Sequence, residues 1–85
     1  MTTTATQQKA VEQVEVGDVV LQYGYRYQVR QNIYDPYGNT GSSPRHVLVA
    51  DALMSDAQAA KEGWIYTRGM TLGHRVGAQV TVEVR

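Results

Sequence analysis

The side chains best suited to chemistry in this chain are tyrosines interleaved with arginines. There are six tyrosines, one tryptophan and no phenylalanine, so every aromatic ring carries a polar group. Beside arginines, such rings suit stacking on a nucleobase or anchoring a protein interface. Core packing is the other use, and it is assigned to Tyr27, central in an alternating segment, and to Trp64, after a predicted helix end. The candidate partner-binding residues lie at turns and strand ends or are interleaved arginines: Tyr23, Tyr25, Arg26, Arg30, Tyr34 and Tyr37.

A second candidate site is a glycine-punctuated stretch at residues 68–77. Glycine recurs there at every fourth position, without the Lys-Ser or Lys-Thr of a phosphate-binding P-loop. The backbone N–H groups of such a loop, together with an arginine, can still bind an anion such as a phosphate. A loop without a ligand is the alternative interpretation. The candidate anion-binding residues are Arg68, Gly69, Gly73 and Arg75.

Catalytic and metal-binding patterns are weak. His46 and His74 do not have metal-ligand spacing, and the chain has no cysteine for a thiolate zinc site. Ser42, Ser43, His46 and Asp51 are residue types of a hydrolytic triad, but no Gly-x-Ser-x-Gly nucleophile elbow is present. We therefore expect no enzymatic activity, no metal and no cofactor.

Composition limits the classes of protein that fit. With 85 residues and a formal net charge of zero, the chain is one small domain without the basic excess of a general nucleic-acid or membrane-surface binder. It has no apolar run of about 20 residues, as a membrane span requires, and no secretory signal, so we expect a cytoplasmic protein. Residues 1–12, rich in threonine and glutamine, are predicted to be a disordered tail, and residues 13–85 a single β domain.

Alternating apolar and polar residues predict five short strands and one helix. A Ser55–Gln58 capping box predicts a helix over 56–62 that ends at Gly63. Glycines and prolines predict a long loop over 35–45 and a second loop over 68–77. The predicted strands cover residues 14–21, with a bend at Gly17–Asp18, then 25–33, 46–50, 64–67 and 78–85.

The first hairpin has two candidate registers. A two-residue loop at Tyr23–Gly24 would place Leu21 opposite Arg26 and mix the two faces of the sheet. A three-residue loop pairs Leu21 with Tyr27 and sorts apolar from polar residues better, so we predict that register. The result is a small, strongly bent antiparallel sheet or partly open barrel, mainly β.

The run Val16-Gly17-Asp18-Val19-Val20-Leu21, followed by Tyr25-Arg26-Tyr27-Gln28-Val29, resembles the opening hairpin of SH3-like small barrels. That resemblance implies a binding module for peptides, nucleic acids or partner proteins, and no enzyme. The leading hypothesis is a protein-binding accessory protein, encoded by a phage or plasmid, that occludes or recruits a host protein. The alternative is a nucleotide or nucleic-acid binder that uses the tyrosine–arginine set and the glycine loop. The 78–85 strand is predicted to be a free edge that forms a homodimer.

Overall fold

The computed structural model describes residues 5–38 and 43–84. Within them the prediction of a small, mainly β, antiparallel sheet with one short helix is confirmed, but six strands form it instead of five. Their order is β1-β6-β2-β3-β4-β5 in one open sheet. None of the described helices is long and apolar enough to cross a membrane. The strands are β1 (Thr6–Ala10), β2 (Val19–Gln22), β3 (Tyr25–Asp35), β4 (Arg45–Ala52), β5 (Met70–Arg75) and β6 (Gln79–Glu83); the helix is α1 (Asp56–Lys61).

The sheet curls around a thin core on its inner face. A break in the β3–β4 register between Val29 and Gln31 bends β3 near its middle. The curl brings the side chain of His74 on β5 to 3.0 Å from that of Gln22 on β2, although β3 and β4 separate these strands in the sheet. The most deeply buried large side chains are Val11, Val20, Tyr27, Val29, Leu48 and Val82.

The N-terminal segment contributes to the sheet where a disordered tail is predicted. Strand β1 pairs with β6 from Thr6–Glu83 to Ala10–Gln79. Its polar side chains are compatible with an edge strand because backbone pairing, and not side-chain burial, holds it there. The 3₁₀ turn Val11–Gln13 then places Val11 and Val14 in the core. The tail prediction therefore fails for residues 6–12, and residues 1–4 lie outside the described part.

The first hairpin has the two-residue turn, so the predicted register is wrong. Val20 pairs with Tyr27 and Leu21 with Arg26, which puts Leu21 on the outer face. Both turn residues have positive φ, 56° at Tyr23 and 79° at Gly24, as a type I′ turn requires. This turn fits the right-handed twist of the flanking strands, and that fit outweighed the sorting of apolar residues.

The fourth predicted strand, 64–67, is also wrong. These residues form an irregular segment. The next strand after α1 is β5, which occupies most of the predicted 68–77 loop, so that loop prediction is wrong as well. Trp64 donates its backbone N–H to the carbonyl of Ala59 and packs against the core, which interrupts any extended pairing at that point. Gly73 fits within β5 because the guanidinium of Arg45 occupies the space that a side chain at position 73 would take.

The final strand is not a free edge. Strand β6 lies between β1 and β2, so the predicted edge at 78–85 is wrong and the dimer prediction loses its structural basis. The two outermost strands of the described sheet are β1 and β5.

The predicted start and end of α1 and the predicted bend before β2 are confirmed. The Ser55 hydroxyl accepts a hydrogen bond from the Gln58 N–H at 3.1 Å, and Gly63 follows the helix with φ of 77°. The bend at Gly17–Asp18 is present, with Gly17 at φ 94°. Asp18 is buried, and its carboxylate accepts from the Glu15 N–H and from Lys9, each at 2.9 Å.

The turn register predicts the effect of replacing Tyr23, which is 77% exposed. Tyr23→Asn should stabilise the protein by about 0.5–1 kcal/mol, because asparagine tolerates positive φ and Asn-Gly is the preferred type I′ pair. Urea unfolding checks this. The same substitution at exposed Tyr34, within β3, should give no gain, and an equal gain at both positions would contradict the turn assignment.

Candidate functional site

Three of the six predicted partner-binding residues, Tyr25, Arg26 and Arg30, contact other side chains of the same molecule. The ring of Tyr25 packs edge-on against Trp64, with centroids 4.8 Å apart, and its hydroxyl lies 3.1 Å from the Glu62 carboxylate. Arg26 forms two hydrogen bonds, of 2.5 and 3.1 Å, with the carboxylate of Glu83. These contacts help to hold the fold.

Arg30 lies on the outer face, 3.4 Å from a carboxylate oxygen of Asp51. The two side chains line a shallow groove there with Val16, Gly17 and Gln28.

The other tyrosines of the set are exposed but stand apart. Tyr23 is in the β2–β3 turn, whereas Tyr34 and Tyr37 are at the opposite end of β3. The Tyr34 ring lies 5.3 Å from the ring of His46. The six predicted residues therefore do not form one continuous surface.

The predicted anion-binding residues do not form one glycine loop. The Gly69 N–H already donates to the Asp51 carboxylate at 2.9 Å, and Gly73 is a strand residue beneath Arg45. Arg68 and Arg75 are exposed at the two ends of β5. The structure thus separates the arginines from the glycine backbone that was expected to act with them.

A groove of about 670 Å³ lies at the start of β5, and we call it the 63–71 groove. Two of its residues, Ile65 and Tyr66, are 84% and 76% exposed. Sequence reasoning missed both because it placed them in a strand. The groove is lined by Gly63, Trp64, Ile65, Tyr66, Arg68, Gly69, Met70 and Thr71.

A second groove, of about 480 Å³, lies at the other end of β5, and we call it the 34–76 groove. It brings Tyr34 of the aromatic set together with Arg75 of the anion set. Ser43, Pro44 and Val76 complete its lining. The 34–76 groove thus lies across the ends of β3, β4 and β5, and Arg75 is the residue of β5 that lines it.

Three arginines near β5 have no ion pair in the described part of the chain: Arg45, Arg68 and Arg75. Arg45 stands directly opposite Arg75 in the β4–β5 register, a like-charge pair that costs free energy. The Nε of Arg45 is buried and has no hydrogen-bond partner. Asp35 stands opposite Arg45 on its other side, in the β3–β4 register, so the positive charge near the β5 edge lies mainly with Arg68 and Arg75.

Behind this edge, a polar network crosses the inner face of the sheet. The Asn32 side-chain amide donates to the carbonyls of Val11 and Val14, both at 2.9 Å. Its oxygen accepts from Nδ1 of His46 at 2.8 Å. His46 faces His74 across the β4–β5 pair, and Nε2 of His74 donates to the Gln22 oxygen.

Burial and neighbouring charge shift several ionisable groups. Burial lowers the pKa of His74, and the positive charge of Arg45 lowers it further. Burial raises the pKa of Tyr27, with smaller contributions from Tyr25 and Tyr23. The hydrogen bond from Arg26 lowers the pKa of Glu83.

The described residues contain no group of three or more histidine, aspartate or glutamate side chains arranged to hold a metal ion. What the two grooves offer is open aromatic surface, an unpaired cation at each and a strand edge between them. These features suit recognition of another molecule.

Comparisons with protein-family models, curated proteins and solved structures found no match to this chain.

The lowered pKa of His74 predicts a pH-dependent stability. The folded protein keeps this imidazole neutral, while the unfolded chain binds a proton below about pH 6.5. The contribution of His74 to the free energy of unfolding is therefore fully present above that pH and is lost as the pH falls below it. Urea unfolding between about pH 7.5 and 5 should show falling stability, and His74→Gln should flatten the curve. An unchanged slope in the variant would contradict the assignment to His74.

Proposed function

We propose that this protein is a non-enzymatic binding module that recognises a partner protein at the β5 edge and its two grooves. The observation that carries the proposal is the exposure of Ile65 and Tyr66 beside Arg68, in a protein with so small a core. Contiguous exposed apolar side chains mark sites of interaction with other molecules. Aromatic residues and arginine are also the types enriched in protein interfaces.

The fold supports the same reading. An SH3-like arrangement, which the opening hairpin resembles, implies a binding module and no catalysis. Binding at one edge leaves the rest of the sheet free, so the module would occlude its partner's surface or recruit the partner to another molecule. That agrees with the expected role of an accessory protein directed at a host protein.

Binding of a nucleotide or nucleic acid is the second candidate, supported by the three unpaired arginines. It is less favoured because the aromatic rings do not form a row for stacking bases. Tyr25 and Tyr27 pack inward, and the N–H of Gly69 is occupied by a carboxylate. A single-strand binder combines a basic groove with successive exposed rings.

The proposal predicts a protein complex that depends on the 63–71 groove. A photo-crosslinking residue at position 66 should capture a protein from a nuclease-treated lysate of the native host. Tyr66→Ala should then weaken binding to that purified partner at least about tenfold, as expected of an interface hot spot. Native mass spectrometry and titration with the purified partner measure both effects.

Val16→Ala is the matched control, because Val16 is 67% exposed but lies outside the two grooves. It should leave the affinity unchanged. Salt should weaken the complex only modestly, whereas a phosphate-dependent complex weakens steeply. Loss of the complex on nuclease treatment would overturn the protein-binding proposal in favour of nucleic acid.

A further inference from the structure

We propose that the β5 edge binds an acidic, extended peptide segment of the partner as an added strand. This inference rests on the proposed function and names the partner's chemistry. The backbone of β5 would hold the segment, and Arg68 and Arg75 would select its acidic side chains.

One side of β5 has no strand partner within the described sheet. In the described part of the chain, β5 pairs with β4 alone, from Met70–Ala50 to Arg75–Arg45. Alternate backbone N–H and C=O groups of an edge strand point away from its neighbour and can pair with another strand. Edges are usually protected by prolines, charges or bulges. The interior of β5 has no proline, arginine or lysine, although the guanidinium of Arg45 covers Gly73.

The length of β5 fits a short extended peptide. The six residues of β5 span about 20 Å at the rise of an extended strand. The 63–71 groove lies at the start of that span and Arg75 lies at its end, so a segment paired along β5 reaches both. The 63–71 groove, with Trp64, Ile65 and Met70, fits an apolar side chain of the added segment. Backbone pairing supplies affinity in this mode, and side-chain pockets supply specificity.

The charges at the β5 edge favour an acidic occupant. Arg68, Arg75 and Arg45 have no described ion pair, and β5 contains no acidic residue. Arg45 already has Asp35 opposite it on β3, whereas the one cross-strand neighbour of Arg75 in the described sheet is Arg45. A carboxylate of the added segment beside Arg75 would offset the repulsion between the two arginines. A second copy of this chain would bring three more arginines to the same edge, so charge disfavours it as the occupant.

Synthetic probes test the inference on the intact protein. The first is a ten-residue peptide that alternates glutamate with valine and threonine. Its counterparts carry lysine for glutamate, or N-methyl groups on one or the other alternate set of amides. The acidic peptide should bind, and the lysine peptide should bind at least tenfold more weakly. Methylation of one set should abolish binding, because the N–H groups facing β5 are lost, while methylation of the other set should be tolerated.

Hydrogen exchange locates the added strand. The acidic peptide should slow exchange at alternate amides of Met70–Arg75, those that do not pair with β4. The double substitution Arg68→Gln with Arg75→Gln should weaken binding at least tenfold. Lys61→Gln, which removes a charge from α1 outside both grooves, should change it by less than twofold.

Several outcomes would overturn the inference. They are equal binding of the acidic and lysine peptides, binding without protection of β5, no binding at millimolar peptide, or preference for a single-stranded oligonucleotide. If the Tyr66-dependent protein complex survives any of the first three, the protein-binding proposal stands and only the added-strand mode fails.

Discussion

The side-chain amide of Asn32 fixes how the sheet curls. It joins β3 to the segment that crosses the inner face, through the carbonyls of Val11 and Val14, and to β4 through His46. The Val11 carbonyl also accepts from the Val14 N–H at 3.2 Å, so loss of the Asn32 amide would leave the Val14 carbonyl without a described donor, at a cost of about 1–3 kcal/mol. His74, opposite His46, extends the link to Gln22 on β2. The position of the β5 edge therefore depends on a polar network inside the sheet.

Local features of the fold could be predicted from sequence, whereas its long-range pairing could not. The capping box and the alternation in β3 and β4 each act within a few residues, and both are confirmed. The hairpin register failed because patterning was weighed above turn geometry, and a tyrosine at positive φ is uncommon. Strand β1 was missed because its polar sequence carries no alternation; it forms only because β6 is available beside it.

Single residues of the candidate site could be predicted from the sequence, but their arrangement could not. Arg68, Arg75 and Tyr34 could be singled out by residue type, but nothing in the sequence placed them at the ends of one strand. Tyr25 and Arg26 bond to Glu62 and Glu83, which lie 37 and 57 residues further along the chain, although the Arg26 side chain stays 53% exposed. Ile65 and Tyr66 could not have been found by segment length, because β2 is a strand of only four residues. The hydrogen bond from Trp64 to Ala59 that interrupts extended pairing there has no signal in the sequence pattern.

The pairing of β1 with β6 also shapes how the chain finds its structure. Partners such as Thr6 and Glu83 are far apart in sequence, whereas β2 to β5 follow one another as neighbours. Closing a long loop lowers the entropy of the chain before any stabilising contact has formed, so strand pairs distant in sequence form late. The β2–β5 meander can therefore assemble early, with β6 and then β1 added to it. Until β6 pairs with β2, the outer edge of β2 is open. At this stage the folding domain is most exposed to pairing with other chains.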